Sequence, residues 1–387
     1  MDRISKAIRT QIERTGEKEH ASPLFLTSSF CFDDAEEMRA AFADENDNNI
    51  YSRFSNPNVQ EFVDKMCILE GAEAGYATSS GMSAVFASFM SILKAGDHLL
   101  CCKAIFGSTH TVITKYLPKY GIEYTYVPAD KPKEWEKAIR PNTKMIFLET
   151  PTNPGLDIID LEIAGKLSKK HGLILNVDNC FATPIAQLPI KYGADLVIHS
   201  ATKWIDGQGR VLGGIVLGRK DLVKDIYLFC RSTGPALSPF NAWVLSKSLD
   251  TLEVRMERHA SNALFLADHL KAHEKISWLK YPFLDTHPQY AIAKKQMTNG
   301  GGIICFELKG GLEAGRHFLD NLKMLSLTAN LGDTRSIASH PASTTHAKLS
   351  EAERQEVNIT PGLIRISAGL EKKEDILSDI LSALKKA

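Results

Sequence analysis

Short apolar runs recur through the middle of the chain: "HLLCC" (98–102), "EYTYV" (123–127), "MIFLE" (145–149), "LILNVD" (173–178) and "DLVIHS" (195–200). They have strand length and are mostly continuous rather than alternating, the pattern of strands buried on both faces. Segments with helical spacing separate several of them. "STHTVITKYLPKYG" ends on a glycine. "DLEIAGKLSKKHG" opens on an aspartate cap, carries Leu161, Ala164 and Leu167 at helical spacing and stops at Gly172. Strands alternating with helices predict an α/β fold with a mostly parallel sheet flanked by helices. "GGIVLGR" (213–219) follows "DLVIHS" too soon for a crossover helix, so that connection is predicted to be a hairpin with one antiparallel strand.

The pattern divides the chain into three parts. Residues 1–55, with "SPLFLTSSFCF" and "NDNNIYSRFSNPN", read as an extended arm of the kind that reaches a neighbouring subunit. Residues 56–250 hold the strand–helix alternation and form the predicted large domain. Residues 251–387 form a smaller α+β C-terminal domain with the strands "IICFELKG" and "LIRISAGLE" and a looped region rich in Ser, Thr and His at 330–350. Across the boundary, "SPFNAWVLSKSLDTLEVRMERHASNALFLADHLKAH" reads as one long helix that allows an interruption.

Composition narrows the function. The chain has 387 residues, too many for one ordinary core. Lys plus Arg and Asp plus Glu are equal at 46 each, so no global field draws nucleic acid or a membrane surface. The N-terminus is charged and lacks an apolar signal core, and no run is long enough to span a bilayer, which makes the cytoplasm the expected compartment. Seven cysteines without C-x-x-C spacing suggest core thiols, not a disulfide frame or a zinc site.

In parallel sheets, ligands bind beyond the carboxyl ends of the strands, and several polar residues fall there. Asp178 closes "LILNVD". Lys203 follows "DLVIHS", flanked by Ser200 and Thr202. Asn153 lies in "ETPTNPG" after "MIFLE". In "ATSSGMSAVFASFMSIL", Ser80 and Gly81 start a helix whose free N–H groups and dipole would hold a phosphate. Each has a structural alternative: a Ser–Gly helix start is also a plain cap, and a strand-end Asp is also a structural one. Together they describe one task. A lysine amine forms a Schiff base with a carbonyl, a carboxylate keeps a pyridine nitrogen protonated, and hydroxyls and backbone donors hold a phosphate. That combination is pyridoxal 5′-phosphate.

"YSRFSNPN", "SSGMSA", "ETPTNP", "VDNCFATP", "SATKW" and "LIRISAGLE", in this order from about residue 20 to the C-terminus, resemble the transsulfuration (Cys/Met metabolism) family of fold-type I pyridoxal-phosphate enzymes. The resemblance implies that Lys203 carries the Schiff base and moves protons, and that Asp178 pairs with the ring nitrogen. It implies that Ser80, Gly81, Met82, Ser200 and Thr202 hold the phosphate. Tyr51 and Arg53 would reach the phosphate of a neighbouring subunit's cofactor, Tyr51 also helping with protons. Arg365 would bind the substrate α-carboxylate, with Asn153 and Asn330 beside it, and the assembly would be a homotetramer of two active dimers.

Two departures refine the expectation. Many members have Tyr-Gly-Gly where this chain has "IFGST", so Phe106 can stack on the ring but cannot transfer a proton. The tail "DGQGRVLGG" replaces a histidine-containing stretch. Both features resemble the branch that replaces the succinyl group of O-succinylhomoserine with sulfide to give homocysteine. A cystathionine γ-synthase using cysteine and a γ-lyase are the alternatives. Arg335 would meet the distal carboxylate of the succinyl group, or is an exposed arginine in a polar loop. "HPASTTH", with His340 and His346, lacks the spacing and acidic company of a metal site, and no metal is expected. "GQGRVLG" precedes a strand rather than opening a helix and so fails as a dinucleotide fingerprint.

Overall fold

The computed structural model describes residues 1–344, 347, 350, 351, 354 and 359–387. The first sheet contains β1 (Ala74–Thr78), β2 (His98–Cys102), β3 (Glu123–Val127), β4 (Thr143–Glu149), β5 (Ile174–Asp178), β6 (Leu196–Ser200) and β7 (Gly214–Gly218), in the order β1-β7-β6-β5-β4-β2-β3. β2 to β6 are parallel, and β7 is antiparallel to both β6 and β1. The five apolar runs thus become the five parallel strands, and the predicted antiparallel step is β6–β7. Leu99, Leu175, Leu196, Val197, Ile198 and Val216 are wholly inaccessible, as expected of a sheet covered on both sides.

β1 has no counterpart in the sequence reading. "AGYAT" holds one bulky apolar residue, and its strand identity comes from its partner. A Cβ on Gly75 would lie 2.6 Å from a Leu217 methyl, so a small residue lets β1 pair closely with β7.

The second sheet contains β8 (Ile276–Lys280), β9 (Ile303–Leu308), β10 (Ser326–Leu327), β11 (Ile337–Ser339) and β12 (Leu363–Ser367), in the order β10-β11-β12-β9-β8. Helices Leu252–Leu270, Gly311–Asp320 and Lys373–Leu384 cover it, with Ile304, Phe306, Ile364, Ile376 and Ile380 in one core. β11 runs through what the sequence presented as a loop. His340 is engaged by Ser343 Oγ and the Pro361 carbonyl, and His346 lies outside the described residues.

The structure refines two helical readings. The long helix is two, Pro239–Leu249 and Leu252–Leu270. From the first turn of the second helix, the buried Arg255 guanidinium donates back across the break to the Ser248 carbonyl at 2.9 Å, giving that helix-end acceptor a side-chain partner. "STHTVITKYLPKYG" starts as α-helix at Gly107–Thr111, widens to a π-turn over Val112–Tyr116 and tightens to 3-10 at Leu117–Tyr120. Pro118 has no N–H to continue an α ladder. Among the cysteines, Cys31 is exposed, while Cys101, Cys102, Cys230 and Cys305 are buried.

The arm has helices Arg3–Arg9 and Ala35–Phe42 and is pinned to its own subunit. Glu61 accepts from the Ile12 amide at 3.0 Å and from Ser22 and Ser246 hydroxyls. Lys65, fully buried, bridges Glu61 and Asp250 at 3.5 and 2.8 Å. No helix among the described residues is long and apolar enough to cross a membrane.

Candidate active site

The carboxyl ends of β4, β5 and β6 deliver Glu149, Asp178 and Ser200 to one place, and the turn after β6 adds Lys203. That turn is held from below. Trp204 is buried against His259, with ring centroids 4.7 Å apart, and Arg255 donates to the carbonyls of Trp204 and Ile205. The lysine therefore leaves a rigid turn. Its Nζ donates to Asn330 Oδ1 at 2.7 Å, and burial lowers its basicity, which favours the nucleophilic free amine.

The helix Gly81–Met90 starts beside Ser200. Its N-cap, Ser80, accepts from the Ser83 amide at 3.1 Å, leaving Gly81 and Met82 at the head without intrahelical acceptors. A Cβ on Gly81 would stand 2.6 Å from Ser200 Cβ, and one on Gly214 would stand 2.1 Å from the Ser80 carbonyl oxygen. Two glycines thus let the helix start, the end of β6 and the start of β7 approach closely, with the free N–H groups of the helix start beside Ser200. Thr202 Oγ1 exchanges contacts with the backbone of Gly213 at 3.1–3.3 Å, which ties this junction to the lysine turn.

Asp178 accepts from the Cys180 amide at 2.9 Å, and burial pushes its carboxyl up to about 6. The Cys180 sulfhydryl points at the Ser200 carbonyl, and burial raises it far above the ordinary thiol range.

Arg365, on β12, is 7% exposed and reaches in from the second sheet. Nη1 donates to Asn153 Oδ1 at 3.0 Å and Nη2 to the Asn330 carbonyl at 3.2 Å. Among the described residues no carboxylate lies within salt-bridge distance of it, so a buried guanidinium is held ready by neutral groups. Asn330 therefore joins two functions: its side chain holds Lys203 and its carbonyl holds Arg365.

Phe106 caps the short helix Gly107–Thr111 and is 42% exposed. Arg335 sits at the margin. Its guanidinium is gripped by Asp333 at 2.9 and 3.0 Å and reaches the Gln208 carbonyl at 3.4 Å, in the tail that follows Lys203. Tyr51 and Arg53 make their contacts elsewhere in the subunit: Arg53 packs over Phe54 at 4.8 Å and donates to the Arg231 carbonyl, and Tyr51 bridges to Ser29. The sequence reading missed Glu149. It is 4% exposed, and its two carboxylate oxygens accept from the amides of Phe106 and Asn153, each at 2.8 Å. The signal was the "E" of "MIFLE", a charge closing an otherwise apolar strand.

The chain matches the sequence profile of the Cys/Met metabolism PLP-dependent enzymes over residues 5–385. It belongs to that family. It is 44% identical over 378 residues to O-succinylhomoserine sulfhydrylase of Pseudomonas aeruginosa, covering 98% of this chain and 94% of the relative. It is also 44% identical over 369 residues to L-methionine gamma-lyase of Fusobacterium nucleatum subsp. nucleatum, covering 95% and 93%. The structure superposes with a TM-score of 0.95 and 32% identity on a putative O-acetylhomoserine (thiol)-lyase from Campylobacter jejuni, covering the whole of both chains; that structure carries an N′-pyridoxyl-lysine-5′-monophosphate. The fold is the α/β fold-type I architecture of pyridoxal-phosphate enzymes, with a smaller second sheet, and the cofactor is pyridoxal 5′-phosphate. The residues fit it: an amine of lowered basicity for the aldehyde, a carboxylate for the ring nitrogen, and a glycine-lined helix start for the phosphate.

The Asp178 carboxyl has a stability cost that can be measured. Its folded value of about 6 lies above the ordinary 3.8, so its stabilising contribution is complete below pH 4 and lost as pH rises through 6. About two pH units, discounted for partial solvent access, correspond to about 2 kcal/mol. In cofactor-free protein, Asp178→Asn is expected to raise stability by about that amount at pH 7.5 and by almost nothing near pH 4. Urea unfolding at the two pH values checks this.

Proposed function

We propose that this enzyme catalyses γ-replacement on O-succinylhomoserine with sulfide, releasing homocysteine and succinate, as a step of methionine biosynthesis. The observation that carries the amino-acid half of this reading is Arg365, a buried guanidinium without a carboxylate partner among the described residues, joined through Asn330 to the Lys203 amine. An α-amino acid presents a carboxylate to the first and a reactive α-carbon to the second. The bound cofactor supplies an electron sink that stabilises negative charge at the carbon losing its proton. Asp178 holds the positive charge of the ring nitrogen. Lys203 Nζ moves the proton, oriented by Asn330 Oδ1. Asn153 Oδ1 aligns the Arg365 fork. Ser80, Gly81, Met82, Ser200 and Thr202 surround the phosphate. Phe106 covers the ring face and has no proton to give, so the proton traffic rests on Lys203 with Tyr51 of the neighbouring subunit; the lack of a stacking tyrosine favours replacement over a tyrosine-assisted elimination.

The names of the relatives divide between sulfhydrylase and γ-lyase at equal identity, which makes γ-elimination the second reading. Purified enzyme with O-succinylhomoserine and either sulfide or cysteine separates the readings. Homocysteine formed with sulfide supports the proposal. Cystathionine formed in preference makes it a synthase, and 2-oxobutyrate without any thiol makes it a lyase. Arg335 is assigned to the distal succinyl carboxylate, shared with Asp333. Arg335→Ala should lower the preference for succinyl over acetyl esters about tenfold, the worth of one charge-assisted hydrogen bond. An unchanged ratio of kcat/KM values removes Arg335 from specificity. The reading also includes a cytoplasmic homotetramer of two active dimers, with Tyr51 and Arg53 completing the neighbour's phosphate site.

A further inference from the structure

We infer that Glu149 is the positioning residue that sets the ring-covering and carboxylate-binding loops in register with one another. It closes β4, between the loop after β2 that carries Phe106 and the loop after β4 that carries Asn153. One carboxylate oxygen accepts the Phe106 amide and the other the Asn153 amide, both at 2.8 Å. Asn153 in turn holds Arg365 at 3.0 Å. A displacement at Glu149 would therefore move the ring cover and the carboxylate fork together.

The position is an expensive place for a carboxyl group. Glu149 is the register partner of Asp178 on the neighbouring parallel strand, so both side chains share one face at the ends of β4 and β5. Burial and the Asp178 charge drive the Glu149 carboxyl well above its usual range, and the two amides and Arg365 only partly oppose this. An apolar residue would complete "MIFL" without that penalty but would leave two part-buried amides without their acceptor. The amides it satisfies belong to the two residues that frame the substrate, and Glu149 itself touches neither ring nor substrate in this reading.

The inference rests on the assignment of Arg365 to the α-carboxylate, but not on the leaving group or the nucleophile. The probe is therefore L-norvaline, an amino acid with no group to lose, titrated into the cofactor-loaded enzyme and followed by the absorbance of the bound cofactor. Glu149→Gln keeps the size but turns one acceptor into a donor, which breaks one of the two contacts. It should weaken L-norvaline binding about tenfold and lower the visible circular dichroism of the cofactor, with cofactor retained. If that variant does not fold, Glu149→Asp, with both acceptors at shorter reach, should show the same pair of changes. A variant that melts at lower temperature yet binds L-norvaline and keeps the visible circular dichroism like the parent would overturn the inference. Arg365→Ala in the same titration separates the two claims: unchanged L-norvaline affinity there would defeat the Arg365 assignment itself.

Discussion

Lys203→Ala is expected to reduce kcat by about 10⁴-fold or more, since a positioned proton-transfer group alone is worth about 10²–10⁴ and the covalent link to the cofactor adds to it. The loss should come with disappearance of the visible Schiff-base band, measured on protein dialysed against pyridoxal phosphate. It should not come with unfolding. The turn is held by Trp204 against His259 and by Arg255 on the backbone, none of which uses the lysine side chain. Asn330 loses a hydrogen-bond donor, at a cost of about 1 kcal/mol. Full activity in the alanine variant would sink the assignment of the whole site.

The second large effect is at Arg365, and it has two signs. Arg365→Met removes the fork that binds the α-carboxylate, so KM should rise about 10²–10³-fold, with a smaller change in kcat. The same change removes a buried charge that lacks a carboxylate partner among the described residues, so the substrate-free enzyme should melt at higher temperature than the parent. Arg365→Lys should not rescue KM, because an ammonium cannot span Asn153 and the Asn330 carbonyl while offering two parallel donors. Steady-state kinetics beside thermal melts give both readings. A lower melting temperature with unchanged KM would mean that the arginine only props the two sheets together.

Both predictions depend on residues that were legible one at a time. Lys203 and Asp178 stood out because each ends an apolar run with a group that the strand itself does not need, and Ser80–Gly81 because a small-residue start heads an apolar helix. Glu149 escaped for the opposite reason. It lies inside a motif whose neighbours drew the attention, and its partners are backbone amides, which leave no mark in a sequence. Asn330 was read only as a substrate contact; that its side chain accepts from Lys203 and its carbonyl from Arg365 left no mark in the sequence. Tyr51 and Arg53 carry the same lesson: their contacts within one subunit, to Ser29, Phe54 and Arg231, are not foreshadowed by "YSRFSNPN".

The sequence by itself determined the five parallel strands, the antiparallel step at β7, the helix starts and stops at Asp160, Gly172 and Ser80, and the cofactor. These follow from local rules: burial periodicity, capping and the residues that interrupt them. Only the tertiary structure decided that "AGYAT" is a strand, that the long helix divides after Leu249, and that Arg365 from one sheet meets Lys203 from the other through Asn330. Those outcomes depend on partners far apart in the chain, such as Leu217 for Gly75 and Asn153 for Arg365, and no local pattern carries the distance between them.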